Sequence, residues 1–280
     1  MNENNWLLRV QNLTKVYGPY RPGCLQKTGP AFHTNICPDT GSIVACAHIN
    51  FDIYPGEVLG IVGESGSGKS TVVQQLYFDL EASEGEVFLS KYQSGTTNLL
   101  TEPNDKKRYI RNHLLGMVYQ NPRDGLNFRF SSGGNIAEKL LMAGVFHVGK
   151  IRERASELLD RTEVPLQRMD DAPANFSGGM QQRVQIAKAM ANNPPLLLLD
   201  EVTTGLDVSI QAKVLDLIRE IQRDLHISMV VVSHDLGVIR MLTNRTLVMK
   251  NGRIVEHGLT DQILEDPQHP YTQLLVSSLL

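Results

Sequence analysis

Short apolar runs recur along the chain, and each ends at small or polar residues. The runs are Val58–Val62, Leu114–Tyr119, Leu196–Leu199 and Ile227–Val232. Uninterrupted apolar runs of this length are typical of strands that are buried on both faces, as in a parallel sheet. Stretches with apolar residues at helical spacing lie between these runs. The pattern therefore predicts an α/β fold with a parallel core sheet.

Segments of mixed character outside this core predict a smaller antiparallel sheet. Leu7–Leu13 is expected to be its edge strand. Further strand-like segments are Ile43–Ala47, Ile49–Ile53 and Val87–Leu89. Near the end of the chain, Asn251-Gly252 separates two short strand patterns and predicts a hairpin with a type I′ turn.

A helical pattern interrupts the core between its second and third apolar runs. Asn135–Ala143 and Ile151–Val164 have helical spacing, and the second carries a clear apolar face. We therefore expect a helical subdomain at 122–177, inserted between core segments 1–121 and 178–280 of a single domain. Residues 19–42 show no period and are rich in Pro, Gly, Thr and Cys, so they predict a long irregular loop.

The segment after the first apolar run, Gly63–Ser70, fits the pattern G-x-x-x-x-G-K-[ST] and leads into a helical stripe. Strand, glycine-rich loop and helix are the context that a phosphate-binding loop requires. Glycines let consecutive backbone N–H groups face phosphate oxygens, and the helix start adds its positive dipole end. Lys69 is expected to reach the β- and γ-phosphates, and the Ser70 hydroxyl is expected to bind Mg²⁺. The alternative is a glycine-rich turn with a surface lysine.

Two acidic residues, Asp200 and Glu201, follow the third apolar run. Adjacent buried carboxylates are costly without partners, and Mg²⁺ beside the phosphate loop would be a partner for Asp200. Glu201 is then placed to orient or deprotonate a water that attacks the γ-phosphate. Gln120 and His234 follow two other apolar runs. Gln120 is a candidate to touch Mg²⁺ or the attacking water, and His234 to sense the γ-phosphate. The alternative for each is an ordinary strand exit.

Ser177-Gly178-Gly179 begins another helical pattern, with Ser177 as a good N-cap. A capped helix start with two glycines favours anion binding. A plain capped helix accounts for the serine equally well, although glycine is a poor choice in a first helical turn. From the residues alone, both interpretations stay open.

Composition disfavours several classes of protein. The net charge is −3 at pH 7, which argues against a nucleic-acid binder or a protein held on an anionic membrane. No apolar run approaches the length of a membrane span, and the first ten residues lack the basic-then-apolar order of a signal peptide. Three cysteines are an odd number for a disulfide framework. We therefore expect a reduced, cytoplasmic protein without a membrane span of its own.

Candidate metal ligands lie in or just beyond the irregular loop, at Cys24, His33, Cys37 and Cys46. Their spacings are wide and no C-x-x-C pair is present, so a zinc site is the less favoured interpretation. Buried or free thiols are the favoured one.

The motifs together resemble those of the ATP-binding-cassette ATPases, in the order and spacing of that family. The matching residues are Gly63–Thr71, Gln120, FSGGMQQR at Phe176–Arg183, Asp200-Glu201, Gly205-Leu206-Asp207 and His234. The resemblance implies an ATPase that works as a dimer, with two ATP molecules sandwiched between two chains. Ser177, Gly178 and Gly179 would then bind the γ-phosphate held by the opposite subunit, and Tyr17 would stack on the adenine base.

The site that this resemblance implies has three sets of residues. Catalytic roles fall to Lys69, Gln120, Glu201 and His234, and the Mg²⁺ ligands are Ser70, Gln120 and Asp200. ATP contacts are expected from Tyr17, Gly63, Glu64, Ser65, Gly66, Ser67, Gly68, Lys69, Ser70, Thr71, Ser177, Gly178 and Gly179. The chain departs from the family at Val202, where proline is usual. We expect a slightly looser turn after Glu201 and no loss of hydrolysis.

Within the family, several stretches resemble the K-subunit group of the carbon–phosphorus lyase system, among them NPRDGLNFRFSSGGNIAEKL. This resemblance implies attachment to a soluble lyase core complex during phosphonate breakdown, with a second copy or the related L subunit as dimer partner. The segment HPYTQLL also resembles the ATPases of peptide and nickel importers, so an importer subunit is the alternative. A module that binds ATP without turnover is a third hypothesis, which the intact catalytic residues disfavour.

Overall fold

The computed structural model describes residues 6–278, which form two compact units. The first unit holds the chain up to Pro103 and from Val230 onward, and the second holds Asn104–Met229. The strands are β1 (Leu8–Tyr17), β2 (Ile43–Ile53), β3 (Val58–Val62), β4 (Glu84–Leu89), β5 (Leu115–Val118), β6 (Leu196–Asp200), β7 (Ser228–Ser233), β8 (Arg245–Lys250) and β9 (Arg253–Leu259). The helices are α1 (Pro22–Gln26), α2 (Lys69–Leu76), α3 (Asn104–His113), α4 (Pro122–Gly125), α5 (Ser132–Met142), α6 (Val148–Arg161), α7 (Gly178–Ala189), α8 (Val208–Leu225), α9 (Leu236–Leu242), α10 (Thr260–Glu265) and α11 (Pro270–Ser277).

A three-stranded antiparallel sheet in the first unit has the order β2-β1-β4. Leu8 lies opposite Ile53 on one side and Leu89 on the other, so β1 is the central strand. The predicted edge position of this segment is therefore wrong. Its polar residues made it resemble an edge, but Arg9 pairs with Asp52 across the sheet, with Nε–Oδ1 and Nη2–Oδ2 distances of 2.9 and 2.7 Å. A paired charge of this kind is tolerated on a central strand.

A second sheet in the first unit has the strand order β7-β3-β8-β9. β3 and β8 run parallel, whereas β8 and β9 form an antiparallel hairpin. Asn251 and Gly252 join the hairpin at φ values of 45° and 74°, which confirms the predicted type I′ turn. All five residues of β3 are buried, as their uninterrupted apolar sequence predicts.

The second unit contains the parallel pair β5 and β6, both fully buried. Between 122 and 177 its described elements are all helical, and α6 buries the predicted face of Ile151, Ala155, Leu158 and Leu159. The subdomain boundaries themselves stay a prediction. The predicted α/β class, with parallel core strands and a separate antiparallel sheet, is confirmed.

The helix α3 lies in a polar stretch for which the apolar pattern predicts no helix. Ile110 is the buried residue of this helix, and Tyr109 stacks on His113 with ring centroids 4.4 Å apart. A helix that buries so few residues leaves no apolar period in the sequence, because its stability comes from local contacts and from one anchor.

The irregular loop at 19–42 is closed by a disulfide between Cys24 and Cys37, whose Cα atoms are 5.1 Å apart. Both cysteines are buried in a small apolar cluster with Val16, Val44 and Ala47. The expectations of a reduced protein and of free thiols are therefore wrong for this pair, because the loop folds back on itself and brings together residues that are 13 positions apart.

Cys46 keeps its thiol and is buried, accepting a hydrogen bond from Gln75 Nε2 at 3.1 Å. Burial raises the pKa of this thiol to about 11. Among residues 6–278, no group of three or more His, Cys, Asp or Glu side chains is placed to hold a metal ion. The zinc alternative therefore gains no support from the part of the chain that the structure describes.

We expect denatured, unreduced protein to show one reactive thiol and reduced protein to show three. Replacing both Cys24 and Cys37 by serine should raise hydrogen exchange across 22–42, because closure of a loop of about 15 residues stabilises it by up to about 3 kcal/mol. Cys46→Ser is the control and should leave this exchange unchanged. Three reactive thiols in the unreduced protein would contradict the disulfide.

Candidate functional site

The glycine-rich loop of the first unit runs from the end of β3 to the start of α2. Gly63, Gly66 and Gly68 have φ values of 152°, 79° and 102°. A Cβ atom on Gly63 would lie 2.2 Å from the Met249 carbonyl oxygen, and one on Gly68 would lie 2.0 Å from the Ala45 carbonyl oxygen. Neither position can hold a side chain, so the glycines are required by the path of the loop.

Lys69, the first residue of α2, is buried, and its ammonium lies against the loop. Its Nζ donates to the carbonyl oxygens of Gly63 at 2.8 Å and Glu64 at 2.9 Å. The hydroxyl of Ser67 is also buried and has no hydrogen-bond partner among the described residues. Gly68, at the N-cap, has no side chain with which to cap the helix. A buried ammonium, an unsatisfied hydroxyl and an uncapped helix start fit a bound phosphate group.

Two further predicted residues, Tyr17 and His234, belong to the first unit. Tyr17 ends β1 with 41% of its surface exposed, and Lys15 Nζ lies 5.1 Å from its ring centroid. An exposed ring at a strand end is available to stack on a flat ligand. His234 is exposed directly after β7, where Asp235 caps α9 by accepting the Gly237 N–H at 2.7 Å.

The acidic pair lies at the end of β6 in the second unit. Asp200 is the last, buried residue of this strand. Glu201 follows in the left-handed region at φ 45°, a conformation that costs a residue with a Cβ atom about 1–2 kcal/mol. Gln120 Nε2 donates to Glu201 Oε2 at 3.2 Å, and the Thr204 hydroxyl donates to the same oxygen at 3.3 Å. The structure thus brings together Gln120 and Glu201, which lie 81 residues apart in sequence.

Val202 fills the position where proline was expected, and its side chain is buried. The turn is held by backbone hydrogen bonds from the Thr204 N–H to the Glu201 carbonyl at 3.1 Å and from the Leu206 N–H to the Thr203 carbonyl at 3.2 Å. The looser turn expected after Glu201 stays a prediction.

Ser177 caps α7, as predicted: its hydroxyl accepts the Met180 N–H at 3.4 Å. The two glycines that follow differ in their surroundings. A Cβ on Gly179 would lie 2.3 Å from Ile210 Cγ2, so packing requires this glycine. Gly178 is exposed, and a Cβ there would meet only Leu206 Cδ2 at 3.5 Å, an ordinary contact. Packing therefore accounts for Gly179 and leaves Gly178 unexplained.

One supporting residue of the second unit is not among the predicted site residues. Gln185, buried on α7, pairs with the backbone of Tyr119: its Oε1 accepts the Tyr119 N–H at 2.7 Å and its Nε2 donates to the Tyr119 carbonyl at 3.1 Å. It thereby fixes the backbone just before Gln120. The signal in the sequence was a glutamine among the apolar positions of a helix. A buried side-chain amide needs hydrogen-bond partners such as the Tyr119 backbone.

The chain matches proteins of known family along most of its length. Residues 46–204 match the family described as ABC transporter. A putative phosphonates utilization ATP-binding protein, PhnK, of Escherichia coli K12 is 46% identical over 277 residues, 99% of each chain. A putative peptide import ATP-binding protein of Brucella abortus is 40% identical over 243 residues, 86% of this chain and 73% of that protein.

One solved structure is similar to most of this chain. It is the dimeric post-hydrolysis state of the ATP-binding cassette MJ0796 bound to ADP and Pi, with a TM-score of 0.75 and 28% identity. The match covers 91% of this chain and 99% of that one. Separately, no helix within residues 6–278 is both long and apolar enough to cross a membrane.

Proposed function

This chain belongs to the ABC transporter family, and from that premise we propose that its ATPase drives conformational change in a carbon–phosphorus lyase core complex during phosphonate breakdown. The chain is an ATP-hydrolysing enzyme of this family. The lyase assignment rests on one observation: the relative named for phosphonate utilization aligns over 99% of both chains. The peptide-import relative aligns over 73% of its own length.

In the proposed site, ATP is held at Gly63–Thr71, and Tyr17 stacks on its adenine. Ser70, Gln120 and Asp200 supply the hydroxyl, amide and carboxylate oxygens that Mg²⁺ prefers. Bound there, Mg²⁺ would neutralise charge that develops on the phosphates. The Lys69 ammonium carries several N–H donors, so it would bond to the β- and γ-phosphates while keeping the Gly63 carbonyl as a partner, and His234 would bond to the γ-phosphate.

Glu201 is the proposed general base. Gln120 and Thr204 both donate to its Oε2 and so fix the rotation of the carboxylate. The oxygen of a water attacks the γ-phosphorus, the bond from that phosphorus to the oxygen bridging to ADP breaks, and Glu201 takes the proton that the water loses. Gln120 would thus hold the metal through its amide oxygen while its Nε2 donates to the base.

Ser177, Gly178 and Gly179 are proposed to bind the γ-phosphate held by a second cassette subunit. The exposure of Ser177 and Gly178, and the absence of a packing reason for Gly178 among the described residues, support this role. The similar cassette was solved as a dimer. The second subunit is either another copy of this chain or the related L subunit, and the complex is proposed to act in the cytoplasm, without nucleic acid.

The partner is tested by affinity purification of the tagged chain from phosphate-starved cells, followed by mass spectrometry. We expect subunits of the lyase core and a second cassette subunit, captured more strongly with Mg-ATP. An untagged strain is the control. Membrane permeases without lyase subunits would overturn the lyase assignment and support the second candidate, a peptide importer subunit, which the peptide-import relative favours.

A further inference from the structure

The last described helix, α11, contacts the phosphate loop through Tyr271. The ring of Tyr271 is buried, with 4% of its surface exposed, and its phenol oxygen accepts the Glu64 N–H at 3.0 Å. The Lys250 ammonium lies 4.4 Å from the centroid of the same ring. The two bonded residues are 207 positions apart in sequence, so this contact is a product of the tertiary fold.

The peptide group whose N–H donates to Tyr271 also accepts a hydrogen bond from Lys69 at its carbonyl oxygen. The Gly63 carbonyl and the Glu64 N–H belong to one trans peptide, in which they point in opposite directions. The carbonyl accepts from Lys69 Nζ at 2.8 Å, and the N–H donates to Tyr271. Because hydrogen bonds polarise one another along a chain, the bond at the N–H strengthens the carbonyl as a partner for Lys69.

This peptide would otherwise rotate easily, since a glycine precedes it. Gly63 adopts φ 152° and has no Cβ to restrict its backbone. Rotation of the peptide plane would turn the Gly63 carbonyl away from Lys69. Such a rotation breaks the bond to Tyr271 and leaves a polar N–H against a buried ring, which is costly.

The position of Tyr271 is in turn set by β9. The Glu256 carboxylate accepts the Gln268 N–H at 2.7 Å and the His269 N–H at 3.1 Å. His269 Nδ1 then accepts the Tyr271 N–H at 3.1 Å at the start of α11. Hydrogen bonds that start at Glu256 on β9 thus hold the phenol of Tyr271 in place beside the glycine-rich loop.

We propose that Tyr271 is a positioning residue for triphosphate binding, which orients the Gly63–Glu64 peptide and, through it, Lys69. This role rests on the proposed binding of ATP at Gly63–Thr71. It makes ATP affinity depend on α11, a segment outside every predicted site motif.

The test is Tyr271→Phe, which keeps the ring and its contact with Lys250 but removes the phenol oxygen. We expect the KM for Mg-ATP to rise about tenfold while kcat at saturation changes less than twofold. The Glu64 amide should also lose protection from hydrogen exchange. A purely structural role would lower the unfolding temperature without this split between KM and kcat.

Tyr92→Phe is the matched control. Tyr92 is also a buried tyrosine of the first unit, and its phenol donates to Glu102 Oε2 at 3.1 Å. A KM for Tyr271→Phe within threefold of the wild type, or an equal rise in Tyr92→Phe, would overturn the inference. Failure of the wild-type chain to bind Mg-ATP would instead refute the proposed site, so the two failures are distinguishable.

Discussion

Glu201→Gln is expected to lower kcat for ATP hydrolysis by about 10²- to 10⁴-fold, because an amide cannot accept the proton of the attacking water. ATP binding should be retained, since the amide keeps an oxygen at the position that Gln120 and Thr204 contact. Steady-state phosphate release and equilibrium binding of Mg-ATP measure the two quantities separately.

The same variant should accumulate as an ATP-dependent dimer, because hydrolysis is the step that would reopen the sandwich. Light scattering or size-exclusion chromatography at saturating Mg-ATP detects it. Glu153→Gln, at an exposed position on α6, is the control and should behave as the wild type. Equal turnover by Glu201→Gln and the wild type would indicate a module that binds ATP without hydrolysing it. A strictly monomeric variant would count against the shared site.

Lys69→Met is expected to weaken Mg-ATP binding by at least about 100-fold. The ammonium of Lys69 is buried beside the loop, and charge-assisted bonds to phosphate from such a site contribute about 2–5 kcal/mol. Methionine fills a similar volume, so the loop should keep its backbone path. Isothermal titration calorimetry with Mg-ATP gives the dissociation constant.

Circular dichroism of Lys69→Met should match that of the wild type, because its bonds to the Gly63 and Glu64 carbonyls are local to the loop. Lys91→Met, at an exposed position, is the control for loss of one positive charge. If Lys69→Met bound Mg-ATP within threefold of the wild type, the glycine-rich loop would be a turn with a lysine and not a phosphate site.

The path of the glycine-rich loop was predictable because its conformation is local. Glycines are needed at 63 and 68 because a Cβ atom at either position would lie within 2.2 Å of a carbonyl oxygen of another strand, and the sequence shows the glycines directly. The cap at Ser177 was equally local, since an N-cap bonds an N–H three residues later. The disulfide between Cys24 and Cys37 was not predictable, because an aperiodic loop carries no signal for its own path.

By itself, the sequence determined which segments are buried strands, where the glycine-rich loop lies and which two acids stand at the end of β6 and just after it, since apolar runs and turn residues act over a few positions. The tertiary structure alone decided that β1 is central, that Gln120 bonds Glu201 and that Tyr271 holds the Glu64 amide. Each of these depends on contacts between residues far apart in the chain. Such contacts form only when many segments pack together, and no local pattern encodes which distant partner a side chain meets.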